Sequence, residues 1–152
     1  MKRLRVYADT SVFGGCFDEE FADVSRKLLE EIRRGRFVLV VSETTLRELQ
    51  RAPEEIRQVI AGLPDEAVEA MTLTDEVERL RDAYVKAGVV SASSRLDAEH
   101  IACASVAGVD VVVSWNFKHI VNYEKIRGYH AVNLLEGYYP IPIHSPLEVV
   151  ES

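Results

Sequence analysis

Apolar positions along this chain come in two patterns. Some form short continuous runs rich in β-branched residues, and others recur every three or four residues between polar ones. Runs of the first kind predict strands: Arg5-Val6-Tyr7-Ala8, Phe37 to Val41 and Val111-Val112-Val113, the last two suited to burial on both faces. A loop containing Gly14 and Gly15 is expected after the first strand. The second pattern predicts a helix from Ala22 to Arg34, with Gly35 as its stop. Ser42 then caps a helix reaching about Ala52, Pro53 opens another, and Thr74 caps one ending near Gly88. Ser94 begins a further helix that runs to about Ala107 and stops at Gly108, with Asp97 completing an acidic variant of a capping box. The tail from Tyr138, with Pro140, Pro142 and Pro146, reads as extended with a last helical turn. Alternating strands and helices predict a layered α/β fold with a mainly parallel sheet. The 152 residues suit a single domain spanning 1–152.

Three carboxylates break this pattern. Asp9 ends an apolar strand, where ligands bind in parallel α/β sheets, though a turn or capping aspartate fits the position equally. On the helix after Ser94, Leu96, Ile101, Cys103, Ala104 and Ala107 fill one arc, and Asp97 falls between Ala104 and Ile101. Glu99 is expected on the opposite side with Arg95. His100 lies at the edge of the apolar arc and reads as a satisfied core histidine. In the helix after Ser42, Thr45, Leu46, Leu49 and Ala52 form the buried side, while Glu43, Arg47, Gln50 and Arg51 form the polar side. Glu48 and Thr44 sit on the border, where a partly buried salt bridge is the plainer reading of Glu48. An unpaired buried carboxylate costs several kcal/mol. Carboxylates converging at one sheet edge repel each other unless a hard cation holds them. Magnesium, which prefers oxygen ligands, is the natural ion, and such a site suits phosphodiester chemistry.

Composition narrows the setting. A net charge of −7 argues against a protein that coats nucleic acid through bulk electrostatics, but not against one that engages phosphate through metal ions. Cys16 and Cys103 are far apart and form no CxxC pair, so reduced thiols are expected rather than a zinc site. No apolar run is long enough to span a bilayer, and Met1-Lys2-Arg3-Leu4 leads into a strand without a signal-peptide core. A cytoplasmic protein with no membrane association is the expectation.

Four segments together resemble the PIN-domain ribonucleases, above all the VapC-like toxins of toxin–antitoxin pairs. They are Tyr7-Ala8-Asp9-Thr10-Ser11, Val41-Ser42 with Leu46-Arg47-Glu48-Leu49, Leu96 to Ala102, and Val109 to Ile120. The resemblance covers nearly the whole chain and rests on the order and spacing of these pieces. It implies a three-layer α/β/α sandwich around a mainly parallel sheet. It implies Asp9, Glu48 and Asp97 as the magnesium- or manganese-binding set, and endonucleolytic cleavage of RNA by a metal-activated water. It also implies a homodimer and a small antitoxin protein that enters the active-site groove. The family often has a fourth acid where this chain has Asn116, an amide that can position a water but adds no charge. Thr10 and Ser11 are expected to orient Asp9 or touch a metal-bound water. Ser114, Lys118, His119 and Asn122 are candidates for contact with RNA. Trp115 could stack on a base, though burial against the sheet is the plainer reading, and Asp110 is expected to act structurally. Two readings compete: a PIN-like module that binds RNA or protein without catalysis, and a phosphatase with Asp9 as nucleophile. The haloacid dehalogenase family of phosphatases usually has a second aspartate where this chain has Ser11.

Overall fold

The computed structural model describes residues 3–151. Five strands form one sheet: β1 (Leu4–Ala8), β2 (Phe37–Ser42), β3 (Val68–Met71), β4 (Val111–Val113) and β5 (Ile143–His144). Their spatial order is β3-β2-β1-β4-β5, and every pairing is parallel. Val6 pairs with Leu39 on one side and Val111 on the other. The chain first winds outward from β1 through β2 to β3, then returns to the other side of β1 with β4. The winding direction therefore reverses between β1 and β4, which opens a crevice beyond their carboxyl ends.

Strand alternation divides the core in two. Tyr7, Val40 and Val112 face one side, where they meet α5 (Asp75–Lys86), α6 (Arg95–Ala107) and α7 (Tyr123–Glu136). Val6, Ala8, Leu39, Val41, Val111 and Val113 face the other. There they meet α1 (Thr10–Gly15), α2 (Ala22–Arg33), α4 (Glu54–Ala61) and the last turn, α8 (Pro146–Val149). The remaining helix, α3 (Glu43–Gln50), follows β2 directly and touches α6. The result is the expected three-layer α/β/α arrangement. Among the described residues no helix is long and apolar enough to cross a membrane.

Several local expectations hold in atomic detail. Ser42 and Thr74 accept the backbone N–H groups of Thr45 and Val77 as helix caps. Gly35, Gly88 and Gly108 have positive φ just beyond their helices. Asp110 is structural: its carboxylate accepts from Arg5 N at 2.7 Å, beside the start of the β1–β4 pairing.

Other expectations are corrected. Residues 10–15 form α1, not a loop, because Val12 and Phe13 have an apolar face of the sheet to cover. Ser94 makes no side-chain cap, so the capping box with Asp97 does not form; its hydroxyl lies 3.3 Å from His119 Nε2 instead. Leu96 and Leu46 are exposed, since α6 is buried only from Ala98 and α3 rests on Thr44, Thr45 and Leu49. Glu99 is buried rather than solvated. It accepts from Thr44 Oγ1 at 2.6 Å and Arg81 Nη1 at 2.7 Å, an ion pair that ties α3, α5 and α6 together. A central helix enclosed all round has no free polar side, so its period does not separate buried from solvated carboxylates.

Candidate active site

Asp9 lies at the mouth of the crevice. It follows β1 in extended backbone, and its N–H reaches Val113 O of β4 at 3.4 Å. Its side chain is buried, and Ser11 Oγ donates to Oδ1 at 2.6 Å. The same Ser11 oxygen accepts from Trp115 N at 2.9 Å, so one hydroxyl joins the end of β1 to the loop after β4. Ser11 thus fixes the orientation of the Asp9 carboxylate. Thr10 instead donates to Glu48 Oε1 at 2.9 Å and links α1 to α3.

His100 stands between the carboxylates. It is buried, with Nε2 2.5 Å from Glu48 Oε1 and Nδ1 2.6 Å from the Tyr7 hydroxyl. Tyr7 continues the chain to Ser42 Oγ at 2.7 Å, the cap of α3. Burial alone would keep this imidazole neutral, but the Glu48 hydrogen bond and the charges of Asp9, Glu48 and Asp97 outweigh it and raise its pKa. Burial also disfavours charge on Glu48. There the His100 hydrogen bond and charge, with the Thr10 hydroxyl, win and hold the carboxyl below its usual value. The two shifts agree in direction, each partner favouring the charged form of the other. The sequence predicts a core histidine at position 100. His100 is one, and it is also the hub of the acidic site. The available signal was its position three residues after Asp97, on a neighbouring stretch of the same helix face.

Asp97, half-buried at the start of α6, is held by the loop after β4. Asn116 Nδ2 donates to its Oδ1 at 3.1 Å, while Asn116 Oδ1 accepts from the backbone of Lys118 at 3.2 Å and His119 at 2.9 Å. The amide oxygen thus serves the loop, and what Asn116 gives the site is an N–H on Asp97, which an aspartate could not supply. Burial raises the pKa of Asp97, against the pull of His119, His100 and Asn116. Burial raises Asp9 too, against His100, Ser11 and Ser114, and the Glu48 charge adds to both.

Asp9, Glu48 and Asp97 therefore share one electrostatic environment. Among the described residues, no three His, Cys, Asp or Glu side chains stand close enough to form a ready-made metal cage. The donor set nonetheless fits a hard divalent ion in kind. It is all carboxylate oxygen, and Glu48 and Asp97 each commit only one oxygen to protein hydrogen bonds among the described residues.

The remaining candidates divide. Ser114 is fully buried and accepts from Asn116 N at 2.9 Å, which shapes the loop from inside. Asn122 caps α7 through Lys125 N. His119 is half-buried, and its Nδ1 is a buried atom without a hydrogen-bond partner. Lys118 is exposed on the rim. Trp115 packs on Phe21 and donates from Nε1 to Ser25 Oγ at 2.8 Å, so its indole is fixed. Beside Glu48, Thr44, Arg47, Gln50, Arg51, Leu96 and Glu99 line an open cleft of about 680 Å³.

No protein-family model and no curated protein matches the chain. A solved structure does: VapC20 of Mycobacterium tuberculosis, described as a toxin that cleaves the sarcin–ricin loop. The superposition covers 75% of this chain and 92% of VapC20, with a TM-score of 0.58 and 15% sequence identity. This chain has the PIN-domain fold. Within that PIN fold, Asp9 follows β1, and the charges of Asp9, Glu48 and Asp97 all act on the buried His100.

Proposed function

We propose that this chain is a magnesium- or manganese-dependent endoribonuclease, the toxin of a toxin–antitoxin pair. The observation that supports the reading is that Asp9, Glu48 and Asp97 are coupled electrostatically around His100 and are each held by a partner, Ser11, His100 and Asn116 respectively. A fold shared with an RNA-cleaving toxin supports it. Asp9, Asp97 and Glu48 would hold the ion. When bound, the ion supplies Lewis-acid polarisation of a phosphodiester and of the attacking water.

The protein's own groups prepare that chemistry. Ser11 fixes the rotamer of Asp9, Asn116 fixes Asp97, and Thr10 with His100 fixes Glu48 as a carboxylate. Such supporting hydrogen bonds keep oxygen donors aimed before substrate arrives. The exposed Lys118 and Arg51, which lines the cleft beside Glu48, would meet RNA phosphates. Ser114 and His119 act by shaping the loop that carries Lys118. The same cleft would receive a small antitoxin, and the enzyme would work as a cytoplasmic homodimer built from one PIN unit per 152-residue chain.

Purified protein incubated with RNA in magnesium or manganese should give defined internal cuts, lost in EDTA and in Asp97→Asn. RNA that is bound but never cut, in either metal, would favour the non-catalytic module.

A further inference from the structure

An aromatic cluster beside the acidic site has no role in the chemistry above. Phe21 and Trp115 stack with ring centroids 4.2 Å apart and planes 19° apart. Phe117 stands edge-on to that pair, 6.2 Å from Trp115 and 6.5 Å from Phe21. The indole is rigidly seated. Its Nε1 is bonded to the buried Ser25, and a Cβ added at Gly15 would lie 2.9 Å from that nitrogen. Phe117, by contrast, leaves 49% of its surface in water, and the nearby α1–α2 loop exposes 45% of Phe17 with Arg26 over its ring.

Core formation accounts for Trp115 and Phe21, which close the α1–α2 corner over the sheet. It does not account for a half-exposed phenyl ring on a loop of such polar purpose. Phe117 lies between Asn116, which holds Asp97, and Lys118, a solvent-exposed cation that makes no ion pair among the described residues. Trp115, two residues before Phe117, is tied through Ser11 to Asp9. Residues 115–118 thus present, in sequence, a fixed indole, a clamp on an acidic side chain, an open aromatic face and a positive charge. Aromatic faces with an adjacent cation are how proteins grip unpaired bases and their phosphates.

We propose that Phe117, backed by Trp115 and Phe21, is the stacking platform for one unpaired RNA base next to the scissile phosphate, and that Lys118 engages the adjoining phosphate. The proposal rests on the ribonuclease reading and adds a subsite to it. It makes Phe117 a substrate-binding residue that selects single-stranded or splayed RNA, because a paired base has no free face to offer.

The test uses short single-stranded oligoadenylates, each with one adenine replaced by fluorescent aminopurine, in EDTA so that nothing is cut. Wild-type protein should quench one labelled position. Phe117→Leu, which keeps bulk but loses the π face, should lose that quenching and bind roughly tenfold or more weakly, while Phe117→Trp restores both. Phe117→Leu that binds and quenches like wild type overturns the platform while leaving the nuclease reading intact. Wild-type protein that quenches no labelled position also overturns the platform, while the nuclease reading stands or falls separately on metal-dependent cleavage.

Discussion

Asp9 and Asp97 are raised above the ordinary carboxylate value, chiefly by burial, so the metal-free protein carries charges that work against its own folding. Asp9→Asn keeps the shape and an acceptor for Ser11 while removing one of those charges. It should raise the melting temperature of the metal-free protein by about 2–4 °C, equivalent to about 1 kcal/mol in a chain of this size. It should also abolish the further rise that millimolar magnesium gives the wild type. Differential scanning fluorimetry with and without metal measures both, and a lower metal-free melting point would refute the argument that the buried Asp9 charge is costly. His100 has its own pH signature. Its folded pKa lies above the unfolded value of about 6.5, so the stability it contributes is fully present below that pH and is lost as pH rises through the folded value. Urea unfolding of metal-free protein across this range should show declining stability, and His100→Gln should flatten the decline. At this scale the sequence was half legible. Asp9, Glu48 and Asp97 stand out as carboxylates at apolar or border positions, whereas the places of Glu99 and His100 depend on Arg81, Thr44 and Tyr7, which meet them from three other elements.

Among the elements, the strands and caps that could be read share a cause: each depends on residues adjacent in sequence. Val111-Val112-Val113 is buried on both faces whatever lies beyond it, and Ser42 reaches an N–H three residues away. The elements with no clear sequence pattern depend on distant partners. β3 has exposed glutamate and alanine at its centre and is a strand because it pairs with β2. α7 has Leu134 and Leu135 exposed alongside buried Tyr129 and Val132, so its apolar residues trace no single stripe. α1 is the most consequential case, since its Gly15 looked like loop punctuation and instead marks close packing. A Cβ there would lie 2.6 Å from Ser25 Oγ and 2.9 Å from Trp115 Nε1. Gly15→Ala should therefore destabilise the protein by about 1–3 kcal/mol. It should also shift the emission of the sole tryptophan to longer wavelength as the indole loses its seat. Unchanged emission with unchanged stability would show that the corner has slack.

For the whole molecule, the tension is between a net charge of −7 and a polyanionic substrate. Such a protein gains nothing from long-range attraction to RNA, and the crevice itself is lined by carboxylates. Binding must then come from a few local cations, from metal, and from contacts that are not ionic. The cations best placed are Lys118 on the rim, with Arg47 and Arg51 lining the cleft beside Glu48; Arg47 is partly engaged by Glu43 at 3.2 Å. Each phosphate neutralised on a single strand contributes about −0.7 to the slope of log affinity against log salt. Two or three such contacts give a slope of roughly −2, far shallower than that of a basic RNA-coating protein. Fluorescence anisotropy in EDTA at several salt concentrations should find this shallow slope. Lys118→Gln should reduce its magnitude by about 0.7, while Phe117→Leu should lower affinity at every salt concentration and leave the slope unchanged. A steep wild-type slope would instead mean that RNA lies along a wider basic surface, and the arginines of the helix ends, Arg33, Arg34 and Arg36, would be the first to examine. Ionic and stacking contributions are thus separable in one titration, because only the first responds to salt.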